Sequence, residues 1–357
     1  QRKAARRGML VCAVLLACLS ASAGYWSILQ RDALIARNDN PRNVDAERAI
    51  ARGAILARDG TMLAMSLPQV ARVQYGSTSF TRQYPNPDTA PIVGYYSIQH
   101  GVGGLESYAD SLLRGRPSIW NTLLHQVQTG ASFTTTIDLH EQARLARALQ
   151  GMVGSGIVMD WRTGEVLAMI SNPTFDPNTL DANWDVLRKR ADAPLLNRAT
   201  QGLYQPGSLL RWLYSGAKDA SSIPWGNWDP SDHFHLSQSV PFELDNPSVP
   251  YPTTSTYSET LGQGTLRVTP LRLAVSAASL AAGNTVTPTL TYHPKPANGV
   301  APTPLVTAQL MVLAQTSQKK HVGWYVKIDQ MNVTVFALEL SHPETDTLNS
   351  AVQRFAP

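Results

Sequence analysis

Short apolar runs separated by polar turns recur along the chain and predict β-hairpins. One pair spans residues 54–65 around an Asp-Gly turn, and another spans residues 156–170 around a Trp-Arg-Thr-Gly turn. A third pair lies near the C-terminus, at residues 322–328 and 333–340. Two short apolar segments joined by such a turn are typical of antiparallel strand pairs.

Two other segments have the spacing and the end signals of helices. Asp138 with Glu141 three residues later forms the pattern of a capping box, after which Leu145 and Leu149 fall on one helical face. Residues 269–282 start with a threonine and a proline and are followed by a glycine, which predicts a second helix. Helices mixed with hairpins predict an α+β fold with an antiparallel sheet.

An apolar run at residues 9–29 has about the ~20 residues that a membrane-spanning helix requires. The basic residues that precede it are Arg2, Lys3, Arg6 and Arg7. Because positive charge stays on the cytoplasmic side, we predict a single-pass anchor in the cytoplasmic (inner) membrane, with residues 31–357 outside. The alternative is a cleaved signal peptide that is processed at residues 21–23.

Charge and cysteine content outside this run exclude several classes of protein. Once the four N-terminal cations are set aside, the remaining 26 Lys and Arg side chains equal the 26 Asp and Glu side chains. The sequence has no basic stripe interleaved with aromatic residues, which is the pattern that would indicate nucleic-acid binding. Cys12 and Cys18 both lie in the apolar run, so no disulfide framework is predicted. His233 and His235 have no third ligand at useful spacing, and we predict no metal or other cofactor.

Seven short patterns occur in a fixed order along most of the chain. They are residues 52–64, 101–115, 136–142, 163–178, 197–208, 262–274 and 322–326. In this order they resemble the class B penicillin-binding proteins, and within that family the shorter PbpA-like group. The resemblance implies a basic tail and transmembrane anchor at residues 1–30, an N-terminal pedestal domain at residues 31–130 and a transpeptidase-like domain at residues 131–357.

The same resemblance implies a fold and an activity. The third part is expected to have a serine β-lactamase-like fold, with an antiparallel sheet of the five-stranded type flanked by helices and a shortened helical portion. The family's enzymes crosslink peptidoglycan stem peptides as D,D-transpeptidases. They work through a serine acyl-enzyme and are acylated by β-lactams.

The first catalytic motif of such an enzyme is altered at its last position. The family's Ser-x-x-Lys is here Ser208-Leu209-Leu210-Arg211. Residues three apart share a helical face, so a lysine amine at the fourth position can take the serine proton. A guanidinium does not give up its proton in a protein, so Arg211 cannot serve as that base.

The other two catalytic motifs are missing. No Ser-x-Asn occurs between Leu209 and Gly262, a stretch that is also shorter than the family's. No Lys-Thr-Gly precedes Trp324, and the nearest match keeps only Thr316. We therefore interpret Ser208 as a helix N-cap and expect no functional catalytic residue at any of the three motifs.

Three functional hypotheses follow. The first is a catalytically inactive homologue that acts as a membrane-anchored structural or regulatory component of a peptidoglycan-related envelope complex. The partner implied by the family is a polytopic glycan polymerase. The second is residual serine acyl transfer or penicillin binding through Ser208. The third is non-catalytic peptidoglycan binding in the cleft that corresponds to the active site of the family's enzymes, where Arg211 would hold a carboxylate by a bidentate contact.

Overall fold

Short helices and strand pairs alternate along the chain. The computed structural model describes residues 2–26, 30, 41–69, 78–116, 126–216, 239–248, 266–293, 303–315, 321–343 and 345–356. Helices α1 to α10 are Arg2–Gly24, Pro41–Arg48, Ala90–Val93, Leu105–Tyr108, Asp110–Arg114, Leu139–Ala148, Leu180–Leu187, Leu209–Tyr214, Pro270–Ala282 and Asp346–Phe355. Strands β1 to β11 are Ile55–Leu56, Met62–Gln69, Ser79–Gln83, Tyr95–Ser97, Gly101–Gly103, Phe133–Thr134, Gly154–Asp160, Val166–Asn172, Ala308–Gln315, His321–Ile328 and Asn332–Leu340.

The largest sheet has five strands in the order β8-β7-β11-β10-β9, and every neighbouring pair is antiparallel. The predicted hairpins are confirmed as the pairs β1–β2, β7–β8 and β10–β11. The central pair, β7 with β11, joins two of these hairpins and places Ile157 opposite Val335. The predicted α+β class with an antiparallel sheet is therefore confirmed.

The two faces of this sheet are covered by different helices. Along β10 and β11, alternate side chains point to opposite faces, as the period of a strand requires. Trp324 and Val335 belong to the core that contains α9 and α8. Tyr325 and Phe336 belong to the core that contains α6 and α10. Helix α8, which follows Ser208, is thereby packed on the same side as the long helix α9.

Side-chain caps begin the two predicted helices. The Asp138 carboxylate accepts from the backbone N–H groups of His140 and Glu141, and the Thr269 hydroxyl accepts from Arg272. The capping box is only half formed, however. The Asp138 N–H donates to the Leu167 carbonyl of strand β8 at 2.9 Å, and the Glu141 carboxylate pairs with Arg144 instead.

A second sheet has the strand order β3-β2-β1-β6, and a separate two-stranded ribbon pairs β4 with β5. By internal contacts, the chain forms one unit of residues 1–50 with 68–80 and another of residues 51–67 with 81–357. The predicted division at residues 130 and 131 falls inside the second unit and stays a prediction.

Helix α1 covers most of the predicted membrane anchor. It ends at Gly24, whereas the predicted span extended to residue 29. Within the described ranges, no helix combines the length and the apolar character needed to cross a membrane. The predicted anchor is therefore not confirmed.

A buried carboxylate joins two of the sequence patterns in the second unit. Glu106 is fully buried and pairs with Arg52 at 3.0 Å and with Arg82 at 2.6 Å. The Tyr84 hydroxyl also donates to it, at 3.3 Å, and burial followed by the Glu106 charge raises the pKa of Tyr84 well above its ordinary value. Arg52 additionally pairs with Asp110 at 2.7 Å. The Arg-Gly and Gly-Leu-Glu patterns therefore meet in one ion cluster.

We predict that Glu106→Gln lowers the free energy of unfolding by about 3–5 kcal/mol, because it leaves two buried guanidinium groups without their shared carboxylate. Chemical denaturation followed by circular dichroism measures this loss. Asp185→Asn is the control, since its partner Arg188 is exposed and the pair should contribute little. Equal stability of the two variants would contradict a structural role for the Glu106 cluster.

Candidate functional site

The loop that leads to Ser208 is fixed to the sheet by backbone and indole hydrogen bonds. Tyr204 and Val268 exchange two backbone hydrogen bonds, of 3.0 and 2.8 Å. The indole N–H of Trp324, a fully buried residue of β10, donates to the Gln205 carbonyl at 2.7 Å. The segment before Ser208 is thus held from both sides.

A charged residue of β11 adds a third attachment. Glu339 accepts from the Tyr204 hydroxyl at 3.0 Å and from Arg198 Nε at 3.2 Å. The other guanidinium N–H groups of Arg198 donate to the carbonyls of Asp192 and Ala193. Burial, and next the Glu339 charge, raise the pKa of Tyr204 above its ordinary value, so the phenol stays a hydrogen-bond donor. The sequence patterns included Arg198 and Tyr204 but missed Glu339.

Ser208 immediately precedes α8, as predicted, but it does not cap the helix with its side chain. Its φ and ψ of −72° and 0° are helical. A capping side chain reaches the first free N–H groups from an extended backbone, which explains the missing bond. The Ser208 carbonyl does accept from the Trp212 N–H, at 3.0 Å. The serine side chain itself is exposed.

Arg211, one turn after Ser208, is buried in this short helix. Only 4% of the residue is exposed, and Leu209, Leu210 and Leu213 are buried with it. A guanidinium in this place keeps its proton and cannot activate Ser208. Its burial also makes it poorly suited to hold the carboxylate of an incoming ligand.

The end strand β9 faces the Ser208 loop with aliphatic side chains. A Cβ placed on Gly207 would lie 3.1 Å from Val312 Cγ1 and 3.1 Å from Ala314 Cβ. Strand β9 contains no Lys or Arg, so it offers no cation for a substrate carboxylate. Thr316, the one residue that matches the Lys-Thr-Gly motif, lies outside the described residues. The same is true of His233, His235 and residues 262–264 of the sixth pattern.

Sequence patterns also missed the short segment at residues 239–248. Val240 and Leu244 insert into the core, and one oxygen of Glu243 accepts from the hydroxyl groups of Thr289 and Thr291 at 2.6 and 2.9 Å. The same oxygen accepts from the backbone N–H groups of Leu290 and Thr291. Only the alternation of apolar residues around Glu243 signalled this insertion.

Among the residues with described positions, no group of three or more His, Cys, Asp or Glu side chains could hold a metal ion.

Two protein families match parts of the chain. Residues 52–134 match the penicillin binding protein A dimerisation domain, and residues 154–213 match the penicillin binding protein transpeptidase domain. The first match contains the Glu106 cluster. The second extends through Ser208 and Arg211.

Individual relatives agree with these families. The peptidoglycan D,D-transpeptidase PbpA of Mycolicibacterium smegmatis is 32% identical over 232 residues, which are 59% of this chain and 46% of that protein. The chain therefore spans about half the length of the PbpA relatives that it matches.

Solved structures share the fold. The imipenem acyl-enzyme complex of penicillin-binding protein A from M. tuberculosis has a TM-score of 0.68 at 20% identity, over 86% of this chain and 99% of that one. A complex between PBP2 and MreC from Helicobacter pylori has a TM-score of 0.65 at 14% identity, over 86% of this chain and 97% of that one. The transpeptidase-like fold predicted from the sequence is thus confirmed.

We predict that Gly207→Ala is more destabilising than Gly151→Ala, although both glycines have a positive φ, of 58° and 77°. Each alanine lowers the free energy of unfolding by about 1–2 kcal/mol, because it must adopt a left-handed backbone conformation. Only the one at Gly207 also presses on Val312 and Ala314, because nothing lies within 4 Å of a Cβ at Gly151.

This contact should lower the free energy of unfolding of Gly207→Ala by about a further 1–3 kcal/mol, which urea denaturation of both variants measures. If the two alanines cost the same, the Ser208 loop does not pack tightly on β9.

Proposed function

We propose that this chain, a homologue of the class B penicillin-binding proteins, is a catalytically inactive structural or regulatory component of a peptidoglycan-related envelope complex. One observation carries the proposal: the position of the catalytic lysine is taken by Arg211, which is buried and cannot accept a proton. Loss of a general base typically lowers a rate by about 10²–10⁴.

The strand beside the serine supports the same proposal. Val312 and Ala314 face the Ser208 loop, where an enzyme of this kind needs a cation and a hydroxyl for the substrate carboxylate. Aliphatic side chains cannot hold a carboxylate. The serine has therefore lost both its base and a substrate contact, while the surrounding frame is retained.

We propose further that residues 1–30 form a tail and single-pass anchor in the cytoplasmic membrane, followed by a pedestal at residues 31–130 and the transpeptidase-like part at residues 131–357, both extracytoplasmic. The basic cluster before the apolar run supports this orientation. The PBP2–MreC complex of H. pylori is a precedent for a partner in the envelope. The partner proposed here is a membrane protein such as a polytopic glycan polymerase.

A second function, residual acyl transfer, is favoured by one observation on Ser208. Its side chain is exposed and forms no hydrogen bond with the described part of the chain. A serine hydroxyl in this state is accessible to a β-lactam, although it remains a weak nucleophile without a base.

Labelling by a fluorescent penicillin separates the two functions. We expect no covalent label on the wild-type chain, because Ser208 has no base, and we expect the same for Arg211→Lys, because β9 would still lack its cation. Penicillin-binding protein A from M. tuberculosis, which forms a penicillin G acyl-enzyme, is the positive control. A label on the wild-type chain that disappears in Ser208→Ala would establish residual acyl transfer and overturn the proposal.

The anchor is tested by Leu15→Arg combined with Leu16→Arg. Each arginine in the middle of a membrane-spanning helix opposes insertion by about 2.5–3.5 kcal/mol, so the double variant should leave the carbonate-resistant membrane fraction. Leu203→Arg, at an exposed leucine outside the segment, is the control and should stay membrane-bound.

Exchange of residues 9–29 for an unrelated membrane segment should keep the protein in the membrane but lose co-purifying membrane partners. Partners that remain bound after the exchange would assign the contact to the outer part of the chain. A wild-type chain that carbonate extracts from the membrane would show that no anchor exists.

A further inference from the structure

A pocket of about 240 Å³ opens beside the β4–β5 ribbon. None of its lining residues belongs to α8 or β9. We propose that this pocket binds one uncharged pyranose ring of a glycan. The proposal goes beyond the function proposed above and does not rest on it, because the two sites share no residue.

One wall of the pocket is aromatic and rigid. Tyr95 and Phe175 line it with their rings edge to face, 6.0 Å apart. The Tyr95 ring rests directly on backbone, since a Cβ on Gly103 would lie 2.8 Å from Tyr95 Cε1. Trp184 supports Tyr95 from outside the pocket at 6.1 Å and is itself stacked on His100 at 4.5 Å. A pyranose has an apolar face of C–H groups that suits such a wall.

The lining also includes polar groups that form no hydrogen bond within the described part of the chain. The Gln201 amide and the Asp245 carboxylate line the pocket and form no hydrogen bond with other described residues. Thr200 is 1% exposed, and its hydroxyl, within the wall, has no partner in the described structure. A buried hydroxyl without a partner, such as that of Thr200, indicates a place for water or for a ligand hydroxyl group, whereas the half-buried Gln201 and the exposed Asp245 are accessible to a ligand. Asn197, by contrast, is fully engaged with Pro91 and Ala199.

The charge and the size of the pocket restrict the chemical class of its ligand. The lining residues include no Lys, Arg or His, and Asp245 is their only charged group. The negative charge of Asp245 would repel a phosphate or the carboxylates of a stem peptide, so these ligands are disfavoured. Neutral hydroxyl and amide groups are accommodated. The volume is below the roughly 300–1,000 Å³ of pockets for drug-sized ligands, which fits a single ring.

Ligand-observed NMR with N-acetylglucosamine tests the proposal. The full chain is placed in lipid nanodiscs, because many detergents carry sugar headgroups of their own. We expect saturation transfer to the ring protons of the sugar. Each of Gln201→Ala and Asp245→Ala should weaken binding about fivefold, the effect of one lost hydrogen bond. The control is Gln150→Ala, which should leave binding unchanged, because Gln150 lines only a neighbouring pocket of about 330 Å³ that shares Pro91 and Ser171 with this one.

The aromatic wall has its own pair of variants. Tyr95→Phe keeps the ring and should retain binding, whereas Tyr95→Ala should abolish it. If Tyr95→Ala does not fold, the Gln201 and Asp245 variants still decide the matter, because Asp245 is exposed and Gln201 is half-buried, so neither substitution should disrupt the core. No binding of N-acetylglucosamine to the wild-type chain would overturn the proposal. Binding that is undiminished in both polar variants would overturn it as well.

N-acetylmuramic acid, the same ring with a lactyl ether that carries a carboxylate, tests the charge of the site when it is compared between the wild-type chain and Asp245→Asn. We expect it to bind several-fold more weakly than N-acetylglucosamine, because its carboxylate meets Asp245. Asp245→Asn should remove most of that difference. Tighter binding of the acid to the wild-type chain would identify an anion site and overturn the assignment. None of these outcomes depends on whether Ser208 reacts with penicillin.

Discussion

The position of the candidate site depends on one buried hydrogen bond, from the Trp324 indole to the Gln205 carbonyl. Trp324 is fully buried in the core of the sheet, so the bond ties that core to the loop before Ser208. An unmade hydrogen bond in this interior would cost about 1–3 kcal/mol, which keeps the loop in place. Two residues later, Gly207 packs closely on Val312 and Ala314 of β9, which its missing side chain allows.

The same frame explains how a site can lose its chemistry without losing its architecture. Packing of α8 needs apolar residues at Leu209, Leu210 and Leu213, and these are present. The identity of the fourth motif position matters to proton transfer but not to this packing, because an arginine stem is also apolar. Fold and function are therefore separable here, and the likeness to solved acyl-enzymes concerns the fold.

Local signals were sufficient for much of the fold. Polar turns between apolar runs predicted the hairpins, and the proline and glycine at either end of α9 predicted its limits to within one residue. Contacts that join distant parts of the chain left no local signal. Glu339 and Glu243 are single acidic residues whose partners lie more than forty positions away, so only the folded chain identifies them. The backbone dihedrals that stop Ser208 from capping α8 are likewise set by its loop.

The pairing of β7 with β11 determines when the molecule can fold. Ile157 and Val335 face each other at the centre of the sheet, so the sheet stays open until the C-terminal hairpin has been made. Closing so long a loop is entropically costly, and contacts between residues far apart in sequence slow folding. Until then β7 and β8 remain an unpaired apolar hairpin, a typical binding site for chaperones. Completion of the sheet on which the Ser208 loop packs thus requires two hairpins that are far apart in the sequence.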